Sequence, residues 1–158
     1  MHSGRPDEID FKILQHLQED ARISLVKLAS LVGLTIGPLS TRIEKLETAG
    51  FIKKYMTVLD REKISQPVLV ILMIKLKEQN TKLLDEFEKV VIPMPEVQSC
   101  HVVSGSWNFI IQVTAKTPQD YAIWLFEKVN MHPNISSVES AFLMKEAKNH
   151  GPFLVSSS

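Results

Sequence analysis

Ser24-Leu-Val-Lys-Leu-Ala-Ser-Leu-Val-Gly-Leu-Thr-Ile-Gly-Pro-Leu-Ser-Thr-Arg-Ile-Glu-Lys-Leu-Glu-Thr-Ala-Gly50 reads as two helices joined by a tight turn. Ser24 offers its hydroxyl to the orphan backbone N–H groups that open the first helix. Leu25, Leu28, Ala29 and Val32 follow on one face at helical spacing. Gly33 ends that helix, since glycine tolerates the left-handed backbone that closes one. Thr35 is placed to cap the second helix, and Pro38 falls in its first turn, where a missing N–H costs little. Leu39, Ile43 and Leu46 form its buried stripe. Gly37, Thr41, Glu44, Lys45 and Thr48 then face outward, flanked by Ser40 and Arg42. This is the helix-turn-helix layout, whose second helix enters a DNA major groove. The pattern also suits a plain helical hairpin in an all-α core, so the rest of the chain must decide.

Upstream, Asp7 or Asp10 can cap an earlier helix whose core face is Ile9, Ile13, Leu14 and Leu17. Glu19-Asp20-Ala21-Arg22 is its exit loop, and residues 1–6 are a loose end. The three helices make a head of about fifty residues, a size at which small domains fold. Its core needs Leu14, Leu17, Leu28, Leu39, Ile43 and Leu46. Downstream, Gly50 stops the third helix, and Phe51 to Leu59 reads as a partly alternating strand. Asp60-Arg-Glu-Lys-Ile-Ser-Gln-Pro67 is polar and closes with proline, as a domain boundary does.

The second half alternates strand and helix. Strands are expected over 68–76, 97–104, 109–115 and 135–145, and helices over 82–91 and 118–130. Gly105-Ser-Trp-Asn108 is a turn, and Met131-His-Pro-Asn134 is a loop. The string is βαββαβ, the ferredoxin-like pattern. The chain is therefore expected to be α+β: a helix-turn-helix domain with a linker strand over 1–58, a hinge at 59–65, a ferredoxin-like domain over 66–146 and a tail over 147–158. The Ser156–Ser158 end is the sole low-complexity stretch. Val68-Leu-Val-Ile-Leu-Met-Ile74 is apolar at every position. In this fold both helices cover one face of the sheet, so the other face must also be buried. A second sheet from another subunit is the simplest cover, with the head as a rival.

Composition narrows the function. Lys and Arg number 18 and Asp and Glu number 18, so the formal net charge is zero. A lone DNA-binding domain is normally basic, so either DNA is not the partner or its affinity per subunit is modest. Cys100 is the single cysteine, which excludes an intrachain disulfide and fits a reducing compartment. It is read as a small buried hydrophobe. The N-terminus carries no hydrophobic leader, and the run Val68–Ile74 is too short to span a bilayer. A soluble, intracellular protein is expected.

The chain resembles the leucine-responsive and asparagine-sensing (Lrp/AsnC) regulators, the feast/famine transcription factors of bacteria and archaea. The likeness is carried by Ile9-Asp-Phe-Lys-Ile-Leu14, Arg22-Ile-Ser24, Leu28-Ala29, Val32-Gly-Leu-Thr35, Arg42-Ile43, Leu46-Glu47, Gly50 and Ile52. It continues through Pro95-Glu-Val97, Cys100, Gly105 and Ser140-Ala-Phe-Leu-Met-Lys-Glu146, in the family's order. The resemblance implies a ligand-responsive regulator that binds double-stranded DNA through its head. It also implies a homodimer through the sheets, assembling further to a tetramer or octamer, and an amino-acid-like effector at the turn between dimers. DNA would be met by Lys27, Thr35, Gly37, Ser40, Thr41, Arg42 and Lys45, with Arg42 and Lys27 on phosphates and Lys53 and Lys54 near the backbone. The effector would meet Gly105, Ser106, Trp107, Asn108 and Ser140. Two departures stand out. Gly37 replaces the family's usual Ser or Thr, and Glu44 lies outward where phosphate would be repelled. In the turn the family often reads Gly-Asp-Tyr-Asp, whereas Ser106 and Asn108 replace both acids here. A zwitterion's ammonium then loses its anion.

No phosphate loop or nucleophile elbow occurs, and His2, His16, His101, His132 and His150 are scattered without metal spacing. Cys100 and His101 are adjacent on a strand, so their side chains point to opposite faces. The chain is expected to be no enzyme and to need no cofactor or metal. It is expected in the cytoplasm, on the nucleoid. The alternatives are an architectural DNA binder that ignores ligand, or a metabolite-binding protein without DNA function.

Overall fold

The computed structural model describes residues 5–78, 80–149 and 151–155. His2, His150 and Ser156–Ser158 lie outside the described residues, as do the first four residues of the expected loose end. The chain forms two compact units, one through Val58 together with the residues from Lys148 on, the other Leu59–Ala147.

In the head, α1 (Glu8–Glu19) starts at Asp7. Asp7 Oδ1 accepts the N–H groups of Ile9 and Asp10 at 2.9 Å each, while Asp10 Oδ2 accepts the Asp7 N–H at 3.0 Å. The two candidate caps thus work as one reciprocal box. Helix α2 (Leu25–Val32) is capped by Ser24, whose Oγ accepts the Lys27 N–H at 3.3 Å, and it stops at Gly33. Helix α3 (Ile36–Thr48) follows Thr35, which holds the cap position but makes no side-chain cap hydrogen bond. Its end is a Schellman closure. The Gly50 N–H donates to Glu47 at 3.0 Å and the Phe51 N–H to Leu46 at 2.9 Å. That closure requires the φ of 78° that Gly50 adopts.

The head core is Ile13, Leu28, Ala29, Val32, Leu39 and Leu46, with Leu14, Leu17, Ile23, Ile43 and Ile52 half-buried around it. Of the expected α1 core face Ile13 is fully buried, Leu14 and Leu17 are half-buried, and Leu25 of α2 remains 44% exposed. A short α2 can turn only Leu28, Ala29 and Val32 inward. The expected strand over Phe51–Leu59 is not formed: this segment bends at its start and makes no ladder pairing. A strand exists only through a hydrogen-bonded neighbour, and Phe51, Tyr55, Met56, Val58 and Leu59 stay exposed along it. The tail is more than a loose end. The Gln18 side-chain amide embraces the backbone of Phe153, accepting its N–H at 2.7 Å and donating to its carbonyl at 3.3 Å.

The second unit carries β1 (Val68–Leu76), α4 (Thr81–Val91), β2 (Val97–Val102), β3 (Phe109–Ala115), α5 (Pro118–Trp124) and β4 (Ile135–Phe142). The antiparallel sheet has the order β2-β3-β1-β4, so β1 and β3 are interior. Val70, Leu72, Ile74 and Leu76 alternate with Phe109, Ile111 and Val113 on the helix side, where Phe87, Val91, Tyr121, Trp124 and Val129 cover them. The expected helix over 118–130 changes character halfway. After Trp124 the chain widens into a π turn, Leu125–Val129, closed by the Asn130 N–H on the Leu125 carbonyl at 2.9 Å. The wider turn keeps Val129 buried and leaves Phe126 72% exposed. On the opposite face of the sheet the apolar run of β1 is not fully covered within this unit. Leu69 is 7% exposed, whereas Ile71, Met73 and their β3 neighbour Ile110 are half-buried.

Candidate nucleic-acid interface and effector turn

Helix α3 is held from below by Leu39 and Leu46, and Gly37, Ser40, Thr41, Glu44 and Lys45 are exposed on it. Lys27 on α2 and Thr35 are exposed as well. Thr35 keeps its hydroxyl unspent as a cap. The Thr41 hydroxyl donates back to the Gly37 carbonyl at 3.2 Å, so it faces outward as an acceptor. A Cβ placed on Gly37 would meet no atom of another element within 4 Å, but the adjoining Pro38 disfavours helical backbone for a preceding residue that carries one.

Arg42 sits differently from its neighbours. Its Nη1 lies 2.7 Å from Asp7 Oδ2 and 2.8 Å from Asp10 Oδ1. Hydrogen bonding to Asp10 and then Asp7 raises the arginine further above its usual range. The Asp10 backbone N–H, with help from Arg42, holds the Asp7 carboxyl below the usual carboxylate value. The phosphate-contact expectation for Arg42 therefore meets two carboxylates already in place. Sequence spacing gave no sign of this, because the partners are 35 and 32 residues away. Lys53 and Lys54 are exposed on the irregular segment after α3.

In the second unit the turn Gly105–Asn108 joins β2 to β3. Gly105 has φ 116°, a conformation open to glycine and strained for any other residue. Gly105 and Ser106 are exposed and Trp107 is half-buried. Asn108 is buried, and its role is internal: its Oδ1 accepts the Leu76 N–H at 2.8 Å, its own N–H donates to Ile74 at 2.8 Å and its carbonyl accepts from Val103 at 2.9 Å. Ser140 is not brought to this turn. It lies opposite Leu72 on β4, on the far side of β1 from β3, with its Oγ 2.6 Å from the Tyr121 hydroxyl. Burial pushes the Tyr121 phenol up, and the Ser140 hydrogen bond partly offsets this. The turn thus presents Gly105 and Ser106 outward, while Asn108 and Ser140 tie the framework together.

An open cleft of about 270 Å³ lies elsewhere in this unit, bordered by Glu96, Lys116, Asp120, Tyr121 and Trp124 among others. No sequence motif marks it. Burial and the nearby Glu88 carboxylate push the Cys100 thiol up, away from thiolate chemistry. Among the described residues no cluster of His, Cys, Asp and Glu could hold a metal ion. No described helix is long and apolar enough to cross a membrane.

Comparison with known proteins covers both units. Residues 69–153 match the family described as the Lrp/AsnC ligand binding domain, and residues 6–53 match a winged helix-turn-helix DNA-binding family. The chain is 31% identical over 145 residues to the proline dehydrogenase transcriptional activator of Rhizobium radiobacter, covering 92% of this chain and 93% of that protein. A transcriptional regulator of Neisseria meningitidis solved as an L-Met complex superposes with a TM-score of 0.88 at 25% identity, over 95% of this chain and 97% of the other. An AsnC family regulator from Agrobacterium tumefaciens gives 0.86 at 30% identity, over 94% and 97%.

Proposed function

Because the chain belongs to the Lrp/AsnC family of transcription regulators, we propose that its head reads double-stranded DNA through α3 while its sheet unit answers to a small amino-acid-like effector. The observation that carries the DNA reading is α3 itself, anchored by Leu39 and Leu46 and otherwise turned outward. Ser40, Thr41 and Lys45 are the base-edge candidates, with Gly37 allowing close backbone approach and the Thr35 hydroxyl and Lys27 meeting phosphate. Glu44 on the same face opposes phosphate, so binding per head is weak. The protein acts by binding, not catalysis, and its place of action is the cytoplasm, on the nucleoid.

Weak heads act well when joined. The half-buried Ile71, Met73 and Ile110 beside Leu69 supply an apolar sheet face suited to a second copy of the same sheet. The assembly is at least a homodimer, and a tetramer or octamer follows from pairing of dimers as in the family. The effector meets the outward Gly105 and Ser106, with Trp107 beside them. Backbone N–H groups there suit a carboxylate. The Neisseria relative was solved with L-Met, which supports an amino-acid-like ligand here. The uncharged turn favours a second reading, a DNA binder without effector response. Retardation of genomic fragments at two salt concentrations tests the DNA function. Thermal shift against the amino acids and related carboxylates separates the two readings, since the second gives no shift with any of them.

A further inference from the structure

We propose that Arg42 is a positioning residue for DNA recognition, locking α3 to the start of α1 and not binding phosphate itself. The proposal rests on the reading that α3 meets DNA. The geometry of four oxygens supports it. Asp7 Oδ1 caps α1 through the Ile9 and Asp10 N–H groups, and Asp10 Oδ2 accepts the Asp7 N–H. The two remaining oxygens, Asp7 Oδ2 and Asp10 Oδ1, both face Arg42 Nη1. Every carboxylate oxygen is thereby used, and each carboxylate is oriented by the backbone before it meets the arginine. One guanidinium against two carboxylates leaves the cluster with a formal charge of −1. A phosphate approaching Arg42 would meet net repulsion. Asp10 is also mostly buried, its side chain 16% exposed, so the pair is better shielded than an ordinary surface ion pair. Arg42 lies next to Thr41 and one turn before Lys45, so fixing it fixes the rotation of α3 about its own axis. That rotation decides which side chains reach base edges.

The experiment uses the full chain and a DNA fragment that it retains, with affinity followed over a range of salt. The double variant Asp7→Asn, Asp10→Asn should weaken binding about tenfold with an unchanged salt slope. Arg42→Ala should weaken it to a similar extent, and combining the three changes should add nothing. Lys27→Ala is the control for a direct phosphate contact and should lower the slope by about 0.9. Tighter binding in the double Asn variant, or a slope lowered by about 0.9 in Arg42→Ala, overturns the proposal. If Arg42→Ala does not fold, Asp10→Asn alone isolates the lock, because asparagine can still accept the Asp7 N–H. Failure of the wild-type chain to retain any DNA would sink the DNA reading separately. The lock is then decided by melting: non-additive losses for Asp10→Asn and Arg42→Ala sustain it, and additive losses refute it.

Discussion

The side-chain carbonyl of Asn108 accepts the backbone N–H of Leu76 at 2.8 Å, in a part of the sheet closed to water. A residue that by sequence looked available to a ligand is thus a fastener between the β2–β3 turn and the end of β1. Removing one partner of a buried hydrogen bond leaves the other unsatisfied, at about 1–3 kcal/mol. Asn108→Ala should lose that much stability in urea unfolding, with an unchanged dependence on denaturant. A loss of less than about 0.5 kcal/mol would show that water or another acceptor replaces the amide.

Ser140 makes a matching case on the other side of β1. Its 2.6 Å hydrogen bond with Tyr121 joins β4 to α5. Ser140→Ala should cost about 0.5–1.5 kcal/mol and leave any effector-induced rise in melting temperature intact. Loss of that rise at undiminished stability would place Ser140 in the ligand site instead.

Local chemistry was legible in the sequence, and distant pairing was not. Ser24, Gly33 and the bounds of β3 were readable because caps and alternating burial are written within a few neighbouring residues. The βαββαβ order followed from the same short-range signals. The segment after Gly50 looked like a strand because its composition suits one, yet composition cannot supply the neighbouring backbone that a ladder needs. Arg42 looked like a phosphate ligand because it flanks an outward helix face, and only the folded head brings α1 against it. Asn108 and Ser140 have partners that were hidden for a related reason. Both are polar residues near an expected site, and both are held by partners on other elements. The π turn after Trp124 left no mark in the apolar spacing, which fits either helix type.

Gly37 offers a direct test of helix against interface. Glycine inside a helix costs roughly 0.5–1 kcal/mol relative to alanine, but the residue after Gly37 is Pro38, whose ring disfavours helical backbone for a preceding residue with a Cβ. The two effects oppose each other, so Gly37→Ala should change head stability by less than about 1 kcal/mol. If the backbone at Gly37 approaches DNA closely, the same change should weaken DNA binding while the head stays folded. Unaltered binding by the folded variant would remove Gly37 from the interface.

Tyr55 gives the head a pH signature. Tyr55 is half exposed as a whole, but desolvation of its hydroxyl end, and then the 2.9 Å hydrogen bond to Glu47, push the phenol from the ordinary 10 up to about 12. The folded state therefore keeps a proton that the unfolded state releases. The stabilisation is fully present below pH 10 and is lost as pH rises from there through about 12. Lysines titrate in the same range, so the comparison is between wild type and Tyr55→Phe. The difference in melting temperature between the two should shrink across that window. A constant difference would mean that Tyr55 titrates normally.

The sheet face opposite the helices tests the assembly. Ile71 points to that face, between Gln112 of β3 and Ala141 of β4. It is half-buried in the single chain, so a charge there meets water and should cost the isolated subunit little. Between two apposed sheets the same charge would be unpaired and buried, at about 3–5 kcal/mol. Ile71→Asp should therefore leave the subunit folded, by circular dichroism, and shift sedimentation at micromolar concentration from the assembled species toward the monomer. DNA affinity should fall with it, because two heads held together bind through effective concentration and separate ones do not. Leu72→Asp is the contrasting control, since Leu72 is fully buried under the helices and its replacement should unfold the unit outright. Unchanged sedimentation of a folded Ile71→Asp variant would show that the subunits meet through another surface.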